Sequence, residues 1–321
     1  MHRNSHLCIT NQRDNLVSFF VLDYLCVMFY RRKIILALLQ AFGCNVGKTQ
    51  LQKLLLLYSQ RQEKPDYHFV PYKYGCYSFQ AAADISTMQK YGQVRVSNKG
   101  IEKTDPVDYV SLLKEKDRLA IRQLYALHGN KDYKALIHHT YTQHPYYAIH
   151  SEIAERYLNA GELRKVAEYK PTASKTILYT IGYEGISLEQ YLNKLIGKDV
   201  RVLVDVRNNP QSMKYGFTKS QLLNACNSVG IEYLHLPEVG VVSEQRQELT
   251  CQADYDKLFA RYRKETLLHT VSTQERILQL LKEKERIALT CFEANICQCH
   301  RKHLAEAIIR LPDWNYELIH L

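Results

Sequence analysis

The stretch VRVLVDVR, residues 200–207, is a nearly continuous run of apolar residues that closes on Asp205, Val206 and Arg207. A strand with apolar residues at nearly every position is buried on both faces, as in a parallel sheet covered by helices. A helical segment, KSQLLNACNSVG (219–230), follows it and leads to another apolar run, IEYLHLP (231–237). This alternation predicts strand–helix–strand units.

The same alternation extends over residues 176–321. Further strands are predicted in TILYTIGY (176–183), RIALTCFE (286–293) and NYELIHL (315–321), with helical segments between them. Strands that alternate with helices in this way predict an α/β domain with a mostly parallel sheet.

The first half of the chain has mainly helical patterns. In RRKIILALLQAF (31–42) the apolar residues fall on one helical face, and KTQLQKLLLLYSQ (48–60) repeats this pattern. After a third helical segment, QVRVSNKGIEK (93–103) alternates around a turn and predicts a β-hairpin. The order of three helices and a hairpin is that of a winged-helix module. We expect a helical domain over 28–160, a polar linker over 161–175 and an α/β domain over 176–321.

Residues 1–27 are expected to be an additional N-terminal segment, either an extra helix or residues upstream of a start at Met28. The apolar run LVSFFVLDYLCVMFY (16–30) is too short to span a bilayer and contains Asp23. The nine cysteines show no framework spacing, which is typical of free thiols in a reducing compartment. We therefore expect a cytosolic protein.

The net charge of +10 is concentrated in the first half. Residues 1–170 contain 24 Lys and Arg against 15 Asp and Glu, whereas residues 171–321 contain 19 against 18. A basic half suggests an anionic partner, with nucleic acid as the leading candidate. A solvated basic surface without a partner is the alternative.

GCNVGKT, residues 43–49, is similar to a phosphate-binding loop but has three residues, where the motif requires four, between its first Gly and the Gly-Lys pair. A helical segment also precedes it, where the motif requires a strand. We interpret Gly43 as the residue that ends a helix.

Ionisable and polar side chains stand at the predicted carboxyl ends of four strands. In an open parallel sheet, ligands bind in the crevice outside these ends. We therefore expect one site at this edge. The strand ends contribute Tyr183, Glu184, Asp205, Arg207, His235, Cys291 and Glu293.

CFEANICQCHR, residues 291–301, joins a strand end to a predicted helix start. Free N–H groups and the dipole at a helix start favour an anion and lower the pKa of a thiol. We therefore expect Cys299 to be a candidate nucleophile, with His300 as its proton partner and Arg301 as an anion-binding fork. Two alternatives stay open: a zinc site of unusual spacing formed by this histidine and the three cysteines, Cys297 included, and cysteines buried without a chemical role.

Four motifs of the second half, in this order and spacing, resemble the family called domain of unknown function 488. They are TIGYEG, LVDVRNNPQS, GIEYLHLPEVG and ALTCFEANICQCHR, within about residues 176–310. The resemblance implies an α/β fold with a Rossmann-like three-layer sheet. It singles out Tyr183, Glu184, Asp205, Arg207, Pro210, Cys291, Glu293, Cys299, His300 and Arg301. It implies no reaction.

Residues 31–100 more loosely resemble the winged-helix-like module of Panacea-type antitoxins and phage-associated proteins. The resemblance lies in TQLQKLLLLYSQ, in HFVPYKYGCYSFQAAADISTMQKYGQV and in the hairpin that follows. It implies recognition of a protein or nucleic acid partner in plasmid or phage conflict.

The function expected from these features is an enzyme that acts on nucleic acid or a nucleotide-like anion, directed to its target by the basic module. Arg207 and Arg301 would hold the anion, and Glu184, Asp205 or Glu293 would be general acid or base. Tyr183, His235 and Cys291 would complete the binding site. No cofactor is expected, except that the three carboxylates could bind a divalent cation. The alternative is a regulator without enzymatic activity that binds DNA or a partner protein and senses a small anion.

Overall fold

The computed structural model describes residues 28–172, 174–242 and 249–321, so the expectations about residues 1–27 fall outside it. The described chain divides into two compact units. Residues 28–66 and 82–131 form the first unit, whereas Tyr67–Ala81 and Asp132–Leu321 form the second. Residues 132–160, which were expected in the helical domain, thus belong to the second unit, as does the segment Tyr67–Ala81.

The first unit contains helices, a short strand and a hairpin. Its elements are α1 (Tyr30–Ala41), β1 (Asn45–Val46), α2 (Lys48–Ser59), most of α3 (Phe79–Lys90), β4 (Val94–Ser97), β5 (Gly100–Lys103) and α4 (Glu115–His128). The three strands form an antiparallel sheet in the order β1-β5-β4. The predicted helices and hairpin are therefore present. Gly43 has φ +92°, which fits the prediction that it ends the first helix.

Two buried carboxylates tie the helices of the first unit together. Asp84 of α3 accepts hydrogen bonds from Arg31 Nε (2.6 Å) and Arg32 Nε (2.8 Å) of α1. Asp117 of α4 accepts hydrogen bonds from the hydroxyls of Tyr30 and Tyr58, each at 2.6 Å. Each carboxylate therefore links different helices across the apolar core.

The second unit is α/β. It begins with a hairpin, β2 (Val70–Tyr72) and β3 (Gly75–Tyr77), followed by α5 (Tyr133–Gln143) and α6 (Ala160–Glu168). The α/β alternation then runs through β6 (Ile177–Gly182), α7 (Leu188–Gly197), β7 (Val202–Asp205), α8 (Lys219–Ser228), β8 (Glu232–His235), α9 (Gln252–Glu265), α10 (Val271–Lys284), β9 (Arg286–Cys291), α11 (His300–Ile308) and β10 (Glu317–His320). All neighbouring pairs in the five-stranded sheet of the described chain are parallel, which confirms the predicted parallel sheet.

The predicted linker over 161–175 differs from the structure, because most of it belongs to α6. Asn159 and Glu162 form a reciprocal cap at the start of this helix, which therefore begins at a well-defined point. Val166 of the helix is buried in the core of the second unit. Polar composition predicted a linker here because only a narrow face of this short helix is buried.

Apolar cores on both faces of the sheet give the unit three layers. Tyr179 and Leu203 face a core that includes residues of α5, α7 and α8. Leu178 and Val204 face the opposite core, which includes residues of α9, α10 and α11. The strand order is β10-β6-β9-β7-β8. Numbered by appearance, this order is 5-1-4-2-3, which differs from the 3-2-1-4-5-6 order of Rossmann dinucleotide-binding folds.

The connections make the carboxyl end of β9 a topological switch point of the sheet. The helices that follow its neighbours β6 and β7 pack on the α7 and α8 face, whereas α11, which follows β9, packs on the other face. Where the chain leaves adjacent strands toward opposite faces, the loops separate and leave room for a ligand. In the described part of the chain, no helix is long and apolar enough to cross a membrane.

Candidate functional site

The loop after β9 lies directly over the end of β6. The backbone N–H groups of Tyr183 and Glu184 both donate to Phe292 O, at 3.1 and 2.9 Å. Glu184 Oε2 in turn accepts from Ala294 N at 2.9 Å. A Cβ on Gly182 would lie 2.0 Å from Glu293 O, so a side chain at this position is incompatible with the crossing. The predicted convergence of the two strand ends is therefore observed.

Asp205 and Arg207 form a closed ion pair at the end of β7. Arg207 donates from Nη2 to Asp205 Oδ2 at 2.5 Å and from Nε to Asp205 Oδ1 at 2.8 Å. Tyr233 of β8 also donates to Asp205 Oδ2, at 2.6 Å. Because Asp205 is completely buried and holds these partners, it is not placed to act as general base. This arrangement favours a structural role for Asp205 over the expected catalytic one.

Arg207 is directed into the unit rather than toward the crevice. Its Nη1 donates to Tyr183 Oη (2.7 Å) and to the carbonyl of Phe217 (2.9 Å). Burial alone would lower the pKa of Arg207, but the hydrogen bonds and charge of Asp205 outweigh burial and raise it. Because at least four of its five N–H donors are engaged inside the unit, Arg207 does not fit the expected role of an anion clamp. It fixes Asp205, Tyr183 and the loop that ends at Phe217.

Tyr183 and His235 support the same arrangement. The Tyr183 ring stacks on Phe217, with centroids 4.2 Å apart, and meets the half-exposed ring of Phe292 edge-on at 5.3 Å. His235 Nε2 lies 2.8 Å from the carbonyl oxygen of Arg207. Both residues therefore belong to the site, but their polar atoms serve its internal structure.

Cys291, Cys299 and His300 form a compact buried cluster between the end of β9 and the start of α11. Their ligand atoms all lie within 4.8 Å of one another. Cys291 Sγ lies 3.6 Å from His300 Nδ1 and 3.1 Å from Glu293 Oε2. Among the described residues this is the one set of three His, Cys, Asp or Glu residues that lies close enough to hold a metal ion, and it does not include Glu184, Asp205 or Glu293.

The surroundings of Cys299 do not favour the expected activated thiolate. Burial, and then the neighbouring Cys291, raise the pKa of the Cys299 thiol well above its usual value. The residue is 1% exposed, so the helix dipole acts on a thiol without access to water. His300 Nδ1 is directed to Cys291, and its Nε2 lies 2.9 Å from Val206 O. Cys297, by contrast, is exposed and outside the cluster.

Arg301 also differs from its expected role. Its guanidinium is 1% exposed and donates to the carbonyls of Glu293 (2.6 Å) and Ala294 (3.3 Å), while Nε has no partner. It therefore holds the loop that carries Glu293 from inside. Arg301 lies at the start of α11, as expected, but its side chain is directed to these two carbonyls and is not available to bind an anion.

Sequence reasoning missed Lys214, which lies beside Tyr183 and Glu184 at what we call the mouth of the site. Its Nζ donates to the carbonyl of Tyr183 at 2.6 Å. Partial burial lowers the pKa of Lys214, and the charge of Glu184 opposes this shift. Its position in the sequence could have indicated this role, because Lys214 lies in the loop after β7, two residues before Gly216 and Phe217.

Similarity to known proteins is confined to the α/β half. Residues 187–308 match the family model described as Domain of unknown function DUF488. No curated protein and no solved structure matches the chain. The match runs from the N-cap of α7 to the last residue of α11, and it does not include residues 31–100, whose resemblance to antitoxin modules stays a prediction. The second unit of this chain therefore contains a DUF488 domain.

Proposed function

We propose that the chain is an enzyme that acts on nucleic acid or a nucleotide-like anion at the carboxyl edge of the parallel sheet. One observation carries this proposal: a lysine is held at this edge close enough to a carboxylate for the two charges to act on each other. Lys214 Nζ lies 2.6 Å from the carbonyl of Tyr183, and the charge of the adjacent Glu184 acts on it. A cation beside a proton-transfer group suits a phosphate-containing substrate.

The proposed roles follow from exposure. Lys214 binds the anion, and exposed Glu184 transfers protons as general acid or base. Half-buried Glu293 is the second carboxylate of the mouth and lies beside the thiol of Cys291. Phe292, 41% exposed, offers an aromatic face on which a base could stack. Arg207 and Arg301 act as positioning residues.

The first unit is proposed to bring the enzyme to a nucleic acid. Its residues 28–66 and 82–131 contain 16 Lys and Arg against 8 Asp and Glu, which is most of the net charge of the chain. Its element order and small antiparallel sheet are those expected of a winged-helix module, in which a helix enters a groove of the duplex and the hairpin lies beside it. Lys90 of α3 and Arg95 and Lys99 of the hairpin are exposed.

Enzymatic activity is tested with the full chain on labelled single- and double-stranded DNA and RNA and on a panel of nucleoside phosphates. Products are separated by gel and identified by mass spectrometry. We expect one substrate class to be converted, with a loss of about 100-fold or more in Glu184→Gln. Glu275→Gln serves as the matched control, because Glu275 is an exposed glutamate on α10. Equal activity in both variants contradicts the role of Glu184, and no conversion of any class contradicts the proposal.

Targeting is tested by fluorescence anisotropy with labelled duplex DNA at several salt concentrations. Neutralising Lys90, Arg95 and Lys99 together is expected to weaken binding and to reduce the slope of log affinity against log salt by up to about 3. A salt-independent affinity, or unchanged binding in the triple variant, contradicts nucleic acid targeting by this surface. Full DNA binding without conversion of any substrate would instead support the regulator.

A further inference from the structure

The buried thiols of the second unit stand in an arrangement that the proposed function does not use. Cys291 closes β9, Cys299 is the N-cap of α11, and His300 is the first residue of that helix. The three side chains are 0–1% exposed. The loop between the two cysteines brings two sulfur atoms and an imidazole nitrogen within 4.8 Å of one another.

The imidazole of His300 is oriented like that of a metal ligand. Its Nε2 lies 2.9 Å from the carbonyl oxygen of Val206, which can only accept a hydrogen bond. Nε2 therefore carries the proton, and Nδ1 presents its lone pair toward Cys291. A metal-bound histidine almost always donates its second ring N–H to a carbonyl or carboxylate in this way, which fixes its tautomer and orientation.

The spacing of the ligand atoms suits tetrahedral zinc. Bonds of about 2.3 Å to sulfur and about 2.0 Å to nitrogen place two such ligands about 3.5 Å apart at a tetrahedral angle. Cys291 Sγ and His300 Nδ1 are 3.6 Å apart. Glu293 Oε2 lies 3.1 Å from the same sulfur. It is not within 4.8 Å of all three ligand atoms, so the carboxylate must shift to become a fourth ligand.

The charges around the cluster also fit a metal ion. Two thiolates, a neutral imidazole, one carboxylate and Zn²⁺ together carry a net charge of −1. The guanidinium of Arg301 is buried next to this loop, and its hydrogen bonds go to two backbone carbonyls. A buried cation is costly without a compensating negative charge. An anionic zinc centre provides that compensation.

We propose that Cys291, Cys299 and His300 bind Zn²⁺, and that the nearby carboxylate of Glu293 shifts to complete a tetrahedral site. Binding replaces both thiol protons, so one zinc ion displaces two protons into solution. Soft thiolate and imidazole ligands favour zinc over magnesium or calcium. The burial of three ligands is typical of a closed structural site, which would clamp the 292–298 loop between β9 and α11.

The zinc site does not rest on the proposed enzymatic function. If Glu293 binds the metal, Glu184 is left as the proton-transfer group of the mouth. A structural zinc ion would also set the position of Phe292 and of the loop that contacts Glu184. The two proposals therefore involve the same loop, but one is tested by enzymatic activity and the other by metal binding.

The first test is the metal content of the full chain after anaerobic reconstitution with Zn²⁺ and removal of excess metal. We expect about one zinc per chain in the wild type and less than about 0.1 in Cys299→Ser. Serine is a preferred N-cap residue, so this variant keeps the start of α11 intact. Cys297→Ser is the matched control, because Cys297 is an exposed cysteine of the same loop, and it should keep the full zinc content.

A second measurement uses the wild type alone and does not depend on the folding of a variant. Co²⁺ is added to the metal-free chain, and thiolate ligation is read from intense sulfur-to-cobalt charge-transfer absorption, which added Zn²⁺ should abolish. The proposal is overturned if the reduced wild type binds neither metal, if Cys299→Ser retains the full zinc content, or if mass spectrometry finds Cys291 and Cys299 joined in a disulfide under reducing conditions.

Discussion

Asp205 and Arg207, two residues apart at the end of β7, form a bidentate ion pair in which the carboxylate is completely buried and the arginine side chain is 5% exposed. The pair faces the interior, and Tyr183, Tyr233 and Phe217 join it there. Asp205 and Arg207 thus form the buried base of the site, whereas Glu184 and Lys214 are accessible to a ligand at its mouth.

Removing either partner of this pair is expected to destabilise the second unit. Asp205→Asn or Arg207→Ala leaves a buried charge without its partner, which costs about 3–5 kcal/mol in the free energy of unfolding. Urea denaturation followed by circular dichroism measures the loss. Arg261→Ala, which breaks an exposed pair with Glu265 on α9, should cost less than about 1 kcal/mol. Similar losses at both pairs would contradict this account.

Gly182 is expected to tolerate no side chain. In Gly182→Ala the new Cβ would meet the carbonyl of Glu293 at 2.0 Å, so the loop after β9 must move. We expect a loss of stability of about 2 kcal/mol or more. Gly197→Ala, in α7, meets no atom within 4 Å and should be neutral or slightly stabilising because alanine favours helix. Thermal unfolding of both variants measures the change in stability. If Gly182→Ala is as stable as the wild type, the loop after β9 does not pack against Gly182 as closely as this contact requires.

Lys214 is expected to control the affinity for anions without contributing much to stability. Lys214→Ala should weaken binding of a nucleotide by about 10-fold, measured by isothermal titration calorimetry, because it removes one charge-assisted contact. Lys219→Ala is the control, since Lys219 is an exposed lysine a few residues further on.

The same lysine predicts a pH dependence. Because its pKa is lowered from 10.5 by partial burial, the ammonium form is lost at a lower pH than in an ordinary lysine. Affinity for the anion should therefore fall as the pH rises through that lowered pKa, and this fall should be absent from Lys214→Ala. An identical pH profile in both proteins would contradict the assignment.

Asp84 is expected to make the first unit sensitive to acid. Burial alone would raise the pKa of Asp84, but the hydrogen bonds and charges of Arg31 and Arg32 outweigh it and lower the pKa below 3.8. The stabilisation is thus fully present above about 3.8 and is lost as the pH falls through the lower folded-state pKa. Asp84→Asn should cost about 3 kcal/mol at pH 7 and flatten the acid dependence, measured by urea denaturation between pH 2 and 7. If the acid dependence of stability is the same in Asp84→Asn and the wild type, a group other than Asp84 is responsible for it.

The sequence predicted the sheet and its edge because burial leaves a local signature. Strands buried on both faces, such as residues 202–205, are apolar throughout, and polar residues then begin where each strand ends. The helices of the first unit were found in the same way, since their apolar residues repeat every three to four positions. The linker over 161–175 was misread because α6 buries only a narrow face.

What the sequence alone determined is therefore the α/β alternation, the basic first half and the set of polar residues at one edge of the sheet. Only the tertiary structure decided the strand order and the direction of each side chain. Arg207 and Arg301 are directed into the interior. Burial raises the pKa of Cys299, although a helix start by itself would lower it. Lys214 lies at the mouth of the site. The physical reason is that solvation and hydrogen-bond partners depend on neighbours far away in the chain, which no local pattern contains.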